Sequence, residues 1–213
     1  MMCRAPDHVC TDYVAIPPEI RERMGPIELT ADLFFVNNIP FLLTLGKRIK
    51  FTTLENVGNR KGTTLLCGMT AGPKFYGEHV YDISTMFMEN DFEALALYMK
   101  GVKINLNTTA ADEHVPEIER QIRVVKERTR SVWNNLKFDH LLNVMIVELT
   151  RKVVMWFNAL HVAGGVSGTY SPQSIMTGTT FDFTKHIRIE FGAYVETHKS
   201  PQPTNTMDTQ TMP

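Results

Sequence analysis

The sequence predicts an α/β domain, and three features carry that expectation. Apolar and threonine-rich runs over 29–57 are separated by turn residues, the pattern of strands joined by short connections. A strand, a short helix and another strand follow over 82–106, and two long helical patterns occupy 116–136 and 139–160. With 213 residues the chain can bury a sizeable core, so one domain with tails is the natural organisation.

Residues 1–28 hold Pro6, Pro17, Pro18 and Pro26 among scattered charges, which favours an extended leader or linker with a helical turn around Glu19–Met24. Leu29–Val36 is dense in apolar and aromatic groups, Asn37 and Asn38 supply a turn, and Pro40–Leu45 continues apolar, giving two antiparallel strands. Lys50–Val57 alternates in character and gives a third. Over 58–80, Gly62, Gly68, Gly72, Gly77 and Pro73 each weaken a helix, so a short or broken helix is expected. Asp82–Met88 reads as a buried strand, Phe92–Met99 as a short helix ended by Gly101, and Val102–Leu106 as a fifth strand.

Pro116 opens the longest helical pattern, because a missing N–H costs nothing in a first turn. Ile118, Ile122, Val125, Val132 and Leu136 share one face, and beside them Glu119, Arg123, Lys126 and Arg130 recur at turn spacing. One carboxylate thus leads a ladder of cations, to which Arg120 and Arg128 add. Such a face suits a metal ion that meets a phosphate backbone, and equally a solvated helix with ordinary ion pairs. Asp139–Leu160 is apolar nearly all round and predicts a well-buried helix that includes Trp156 and Phe157. Gln173–Met176 offers one helical turn and Ile187–Val195 a last strand or hairpin, while 198–213 lacks any apolar period and reads as a disordered tail.

Acidic and basic residues nearly cancel, 23 against 22, so any nucleic-acid binding must come from local patches. Three cysteines without regular spacing argue against a disulfide scaffold and for a reducing compartment, and Cys3, His8 and Cys10 lack a fourth zinc ligand. The most apolar stretch, Leu141–Leu160, is interrupted by Asn143, Glu148, Arg151 and Lys152, which disqualifies it as a membrane span. No secretory pattern opens the chain. The expectation is an intracellular protein, not secreted and with no membrane partner.

Two places concentrate acids where acids are costly or useful. Asp32 sits mid-strand beside Leu33, Phe34 and Phe35, where an ionised carboxylate needs a cation, a hydrogen-bond network or a ligand, unless it reaches solvent or caps a turn. Glu89 and Asp91 follow the fourth strand at its carboxyl end, where α/β sheets carry their sites. The alternative is that they cap the next helix.

The ordered series ADLFFVNNIPFLLTL, STMFMENDFEAL, DEHVPEIERQIRVVKER, VSGTYSPQSIMTG and IEFGAYV resembles the integrase core of copia-type LTR retrotransposons, and looks closest to the copia-like elements of diatoms. The similarity runs from about Leu29 to Thr197; each motif alone is weak, and their order is specific. The resemblance implies the RNase H-like fold, a five-stranded mixed sheet flanked by helices, with 29–165 as catalytic core and 166–197 as a C-terminal extension with a short hairpin. It implies a triad of Asp32, Glu89 and Glu119 that ligates two divalent ions, Mg2+ or Mn2+, with the arginine that follows the last acid being Arg120. Where the family has Asp-Asn-Glu-Phe or Asp-Gly-Glu-Phe, this chain has Glu89-Asn90-Asp91-Phe92, so the middle ligand becomes a glutamate, with Asp91 as the alternative. The added methylene moves that carboxylate by more than the about 0.5 Å a preorganised site tolerates, and strongly reduced activity is the expectation.

The function so implied is DNA integration: 3′-end processing and strand transfer by a polynucleotidyl transferase acting on retroelement cDNA ends and target DNA. Arg120, Arg123, Lys126 and Arg130 would hold DNA phosphates. The chain would be a homo-oligomer, in nucleus or cytoplasm, derived from a polyprotein. The alternative is a non-catalytic RNase H-like remnant that binds nucleic acid or self-associates, and Glu89 is the residue that separates the two.

Overall fold

A three-strand meander begins the sheet. β1 (Ile27–Val36) and β2 (Ile39–Gly46) are joined by Asn37 and Asn38, whose φ angles of 47° and 65° give a tight hairpin turn of the kind that asparagine tolerates. A computed structural model describes residues 13–58, 62–79, 81–89, 92, 96–101, 103–108, 115–195, 197–198 and 211–212. Ahead of the meander lies α1 (Pro18–Met24), at the helical turn expected there, and after it β3 (Thr52–Asn56) pairs antiparallel with β2. Then come α2 (Gly62–Glu78), β4 (Ile83–Met88), α3 (Ala96–Gly101) and β5 (Asn105–Thr108). The order across the sheet is β3-β2-β1-β4-β5, antiparallel among the first three and parallel at β1–β4 and β4–β5. This is the five-stranded mixed sheet flanked by helices that the resemblance implies.

Strand alternation gives each face its own core. Phe41, Leu43 and Leu45 of β2 pack with Ile118, Ile122 and Val125 of α4 (Pro116–Asn135) and with Val147, Val153 and Val154 of α5 (Asn143–Ala159). Leu42 points the other way, into a core with Leu29 and Ala31 of β1, Met86 and Met88 of β4, and Met69 and Tyr76 of α2. Ile175 and Met176 of α6 (Pro172–Thr177) close that second core.

Three local expectations are corrected. The short or broken helix expected over 58–80 is a continuous helix, α2, with Pro73 inside it. Its glycines let it lie close against the sheet: a Cβ on Gly68 would meet Val57 Cγ1 at 2.8 Å, and one on Gly72 would meet Thr44 and Thr53 Oγ1 at 3.2 Å. Packing there outweighs the intrinsic cost of glycine. The fifth strand lies further along than Val102–Leu106, because Ile104 turns into the core before the ladder to β4 begins at Asn105. α5 is buried along one stripe and not all round, so Trp156 and Phe157 are only partly buried. Within α4 the buried stripe is Ile118, Ile122, Val125 and Thr129, while Val132 and Leu136 are partly buried.

Residues 182–213 make a separate compact unit. It contains α7 (Phe183–His186) and a two-residue ladder between β6 (Thr197–His198) and β7 (Thr211–Met212). The strand or hairpin expected over Ile187–Val195 does not form: these residues are bends and turns, and Ile189 and Tyr194 are 51% and 81% exposed. An isolated hairpin with no face to bury is marginal in water. Cys3, His8, Cys10, Asp91 and most of the expected tail lie outside the described residues. Among those described, no helix is long and apolar enough to cross a membrane.

Candidate active site

Alternation along β1 sends Thr30, Asp32 and Phe34 to the sheet face that α4 covers, since Phe34 packs with Ile118, Ile122 and Val125. In the parallel pairing of β1 with β4, Thr30 lies opposite Phe87. Glu89 directly follows β4, and its charge reaches Asp32. α4 then brings in Glu119 from its first turn, docked by the apolar residues on either side of it in the helix face. Three elements distant in sequence thus deliver three acids to one region.

The charges of Glu89 and Glu119 both act on Asp32. The Asp32 carboxyl is pushed up from 3.8 to about 6, chiefly by burial, next by the charge of Glu89 and further by Glu119. Two contacts oppose the rise: the Leu33 N–H donates to Asp32 Oδ1 at 2.6 Å, and the Lys126 ammonium attracts the carboxylate. The donor chemistry fits a hard divalent cation, because all three groups offer carboxylate oxygen and a cation would relieve the repulsion on Asp32. Their convergence is incomplete: among the described residues, no group of three His, Cys, Asp or Glu side chains is disposed to hold a metal ion.

A cleft of about 410 Å3 opens beside Asp32 and Glu119, and its wall carries Arg123, Lys126 and Arg130. The Lys126 Nζ stands 5.7 Å from the centre of the Phe34 ring, so its ammonium is held above an aromatic floor. Of the cations singled out in the sequence, Arg123, Lys126 and Arg130 therefore meet the carboxylates, whereas Arg120 is exposed and does not line this cleft. Glu89 is half-buried and acts on Asp32 without lining the cleft. A cationic wall can hold a phosphodiester by its non-bridging oxygens beside the carboxylates, which would hold a metal ion.

Sequence reasoning missed three residues nearby: Phe35, Thr129 and Trp133. They line a neighbouring pocket that shares Lys126 and Arg130 with the cleft. Thr129 had a signal, since the buried spacing of Ile118, Ile122 and Val125 calls for another buried residue four places on.

The crystal structure of the catalytic core domain of BIV integrase matches this chain with a TM-score of 0.54, covering 77% of this chain and 99% of that one. The fold is that of an integrase catalytic core. At 11% sequence identity the likeness is one of fold. No known family's sequence profile matches the chain, and no curated protein does. The integrase-like core places its sheet and helices so that Asp32, Glu89 and Glu119 fall within electrostatic reach, which local patterning alone had left open for each.

Proposed function

We propose that this chain is a retroelement integrase core of the copia type, a polynucleotidyl transferase that trims cDNA 3′ ends and joins them to target DNA. The observation that supports it is the raised Asp32 carboxyl, which feels both Glu89 and Glu119 on the sheet face of an integrase-like fold. Asp32, Glu119 and either Glu89 or Asp91 would hold two Mg2+ or Mn2+ ions, which supply Lewis acidity toward the phosphoryl group. The chain's own groups orient the reactants. Arg123, Lys126 and Arg130 grip phosphates along the cleft, and the Leu33 N–H fixes the Asp32 carboxylate in one orientation. The protein works as a homo-oligomer on DNA, in nucleus or cytoplasm.

A second reading is a non-catalytic remnant that binds nucleic acid or self-associates, and one observation favours it: no three ligands converge on a metal position among the described residues. The glutamate at position 89 points the same way. Strand transfer with purified protein, a labelled LTR-end duplex and Mg2+ or Mn2+ separates the two. Joining by the native chain that Glu119→Gln abolishes supports the enzyme; joining only by Glu89→Asp supports a disabled copy of the same site. No joining by either chain contradicts the enzyme reading.

A further inference from the structure

A cavity of about 680 Å3 opens at the end of the sheet where β1 and β4 begin, away from Asp32 and Glu89, which lie further along. Residues of α1, of the link between α2 and β4, and of α6 line it. Its apolar lining includes Ile16, Met24, Ile175 and Met176, each at most 8% exposed. Thioether side chains adapt to what they touch, so the two methionines make a compliant wall. The volume lies within the range of about 300–1,000 Å3 that small-molecule sites occupy.

The polar groups around it are acceptors set against one cation. His79 Nδ1 stands 2.8 Å from the Phe75 carbonyl, which can only accept, so this nitrogen carries the proton and Nε2 of the neutral ring is an acceptor. The Tyr81 hydroxyl donates its one proton to the Ile175 carbonyl at 2.8 Å, which leaves it lone pairs alone. Asp82 adds an exposed carboxylate. The cation is Arg21 of α1, whose charge Tyr81 feels. Arg21 and Asp82 line the cavity from different elements, and among the described residues neither side chain is in an ion pair.

Opposite charges kept apart around an apolar wall match a molecule that carries both charges itself. Its carboxylate would meet Arg21, its ammonium would give protons to Asp82 and to the acceptors on Tyr81 and His79, and its apolar body would lie against the methionines and isoleucines. A simple acid would face three acceptors, and a simple amine would face a guanidinium. We infer that this cavity binds an apolar zwitterion, an α-amino acid or a short peptide with both ends free. None of these residues lines the carboxylate cleft, so the inference stands apart from the integrase reading.

The test is calorimetric titration of the full chain with L-phenylalanine and with leucyl-phenylalanine, each also in N-acetylated and C-amidated form. Acetylation and amidation should each weaken binding about tenfold, the scale of one charge-assisted hydrogen bond. Asp82→Asn should weaken the free ligand about tenfold and leave the acetylated one unchanged, and Arg21→Gln should act in the same way toward the amidated one. Both side chains are exposed, so the variants should fold as the native chain does. Carbon-13 spectra of the methionine methyls check that and locate the ligand: Met24 and Met176 should shift on titration, and Met145 of α5 should not. A dipeptide that binds no tighter than phenylalanine upholds the site and names an amino acid as its source, and a tighter dipeptide upholds it and names a peptide. Absence of binding, blocked forms that bind as well as free ones, or titration shifts that bypass Met24 and Met176 overturn it.

Discussion

The two faces of the sheet are covered in opposite ways. On the face under α2, helix and strands meet tightly at mid-sheet: Gly46, Gly68 and Gly72 bring them so close that added carbons would collide with Tyr76, Val57 and a pair of threonines. Tyr76 is fully buried there, and its hydroxyl donates to the Phe51 carbonyl at 2.9 Å. On the face under α4, the packing is relaxed enough to leave a cleft and a pocket, a half-buried acid pushed up to about 6, and a buried hydroxyl without a partner. One face is built for cohesion, and the other keeps polar groups in costly places. Local departures from good packing and good pairing mark the side of a fold on which a site is carried.

The largest effect that would break this contrast lies on the closed face. Gly46→Ala places a carbon 2.6 Å from the Tyr76 hydroxyl, and a loss of about 3 kcal/mol is expected from overpacking and the disturbed bond, read by urea denaturation. A smaller loss, about 2 kcal/mol, is expected for Asn158→Ala on the open face, where the amide accepts from Thr52 N–H at 2.8 Å and donates to Thr52 O at 2.7 Å. That satisfied polar group is the counterpart of Thr129, and calorimetry of Thr129→Val should show no loss at all.

Asp32→Asn should go the other way and stabilise. The folded chain keeps the Asp32 proton up to about pH 6 while the unfolded chain releases it near 3.8, so stability from this group falls as pH rises between those values. Removing the charge recovers that loss above about pH 6 and gains nothing below 3.8. The shift converts to almost 3 kcal/mol at about 1.4 kcal/mol per pH unit, which partial solvent access cuts to about 1–2 kcal/mol. Denaturation at pH 4 and pH 7.5 with EDTA present checks it. Smallest is the difference between two arginines: Arg123→Ala should lower the salt slope of DNA binding by about 1, and Arg120→Ala, outside the cleft, should leave it nearly unchanged.

Much of the fold was legible because local pattern and tertiary role agree in it. β1 and β2 are buried along most of their length, as their apolar composition predicts, the Asn37–Asn38 turn joins them, and α4 has a stripe at helical spacing. α2 was illegible because its glycines serve contacts with strands far away in sequence, which no local window contains. Ile187–Val195 misled for the reverse reason: its apolar residues look like a strand, yet Ile187, Ile189, Tyr194 and Val195 stay exposed. Of the site, Asp32 and Glu119 stood out as acids in odd company, but only the resemblance joined them to Glu89. The pocket of Phe35 and Trp133 forms where a strand end meets a helix, so neither residue carries a sign of it alone.

The most direct test of the open face is the titration of Asp32 itself, followed by carboxyl-carbon NMR in the native chain, Glu89→Gln and Glu119→Gln without divalent ions. Expected is a midpoint near 6 in the native chain that falls in both variants, more for Glu89→Gln because Glu89 is the stronger of the two charges on Asp32. A native midpoint close to 3.8, or one that neither substitution moves, would contradict the claim that Glu89 and Glu119 both act on Asp32.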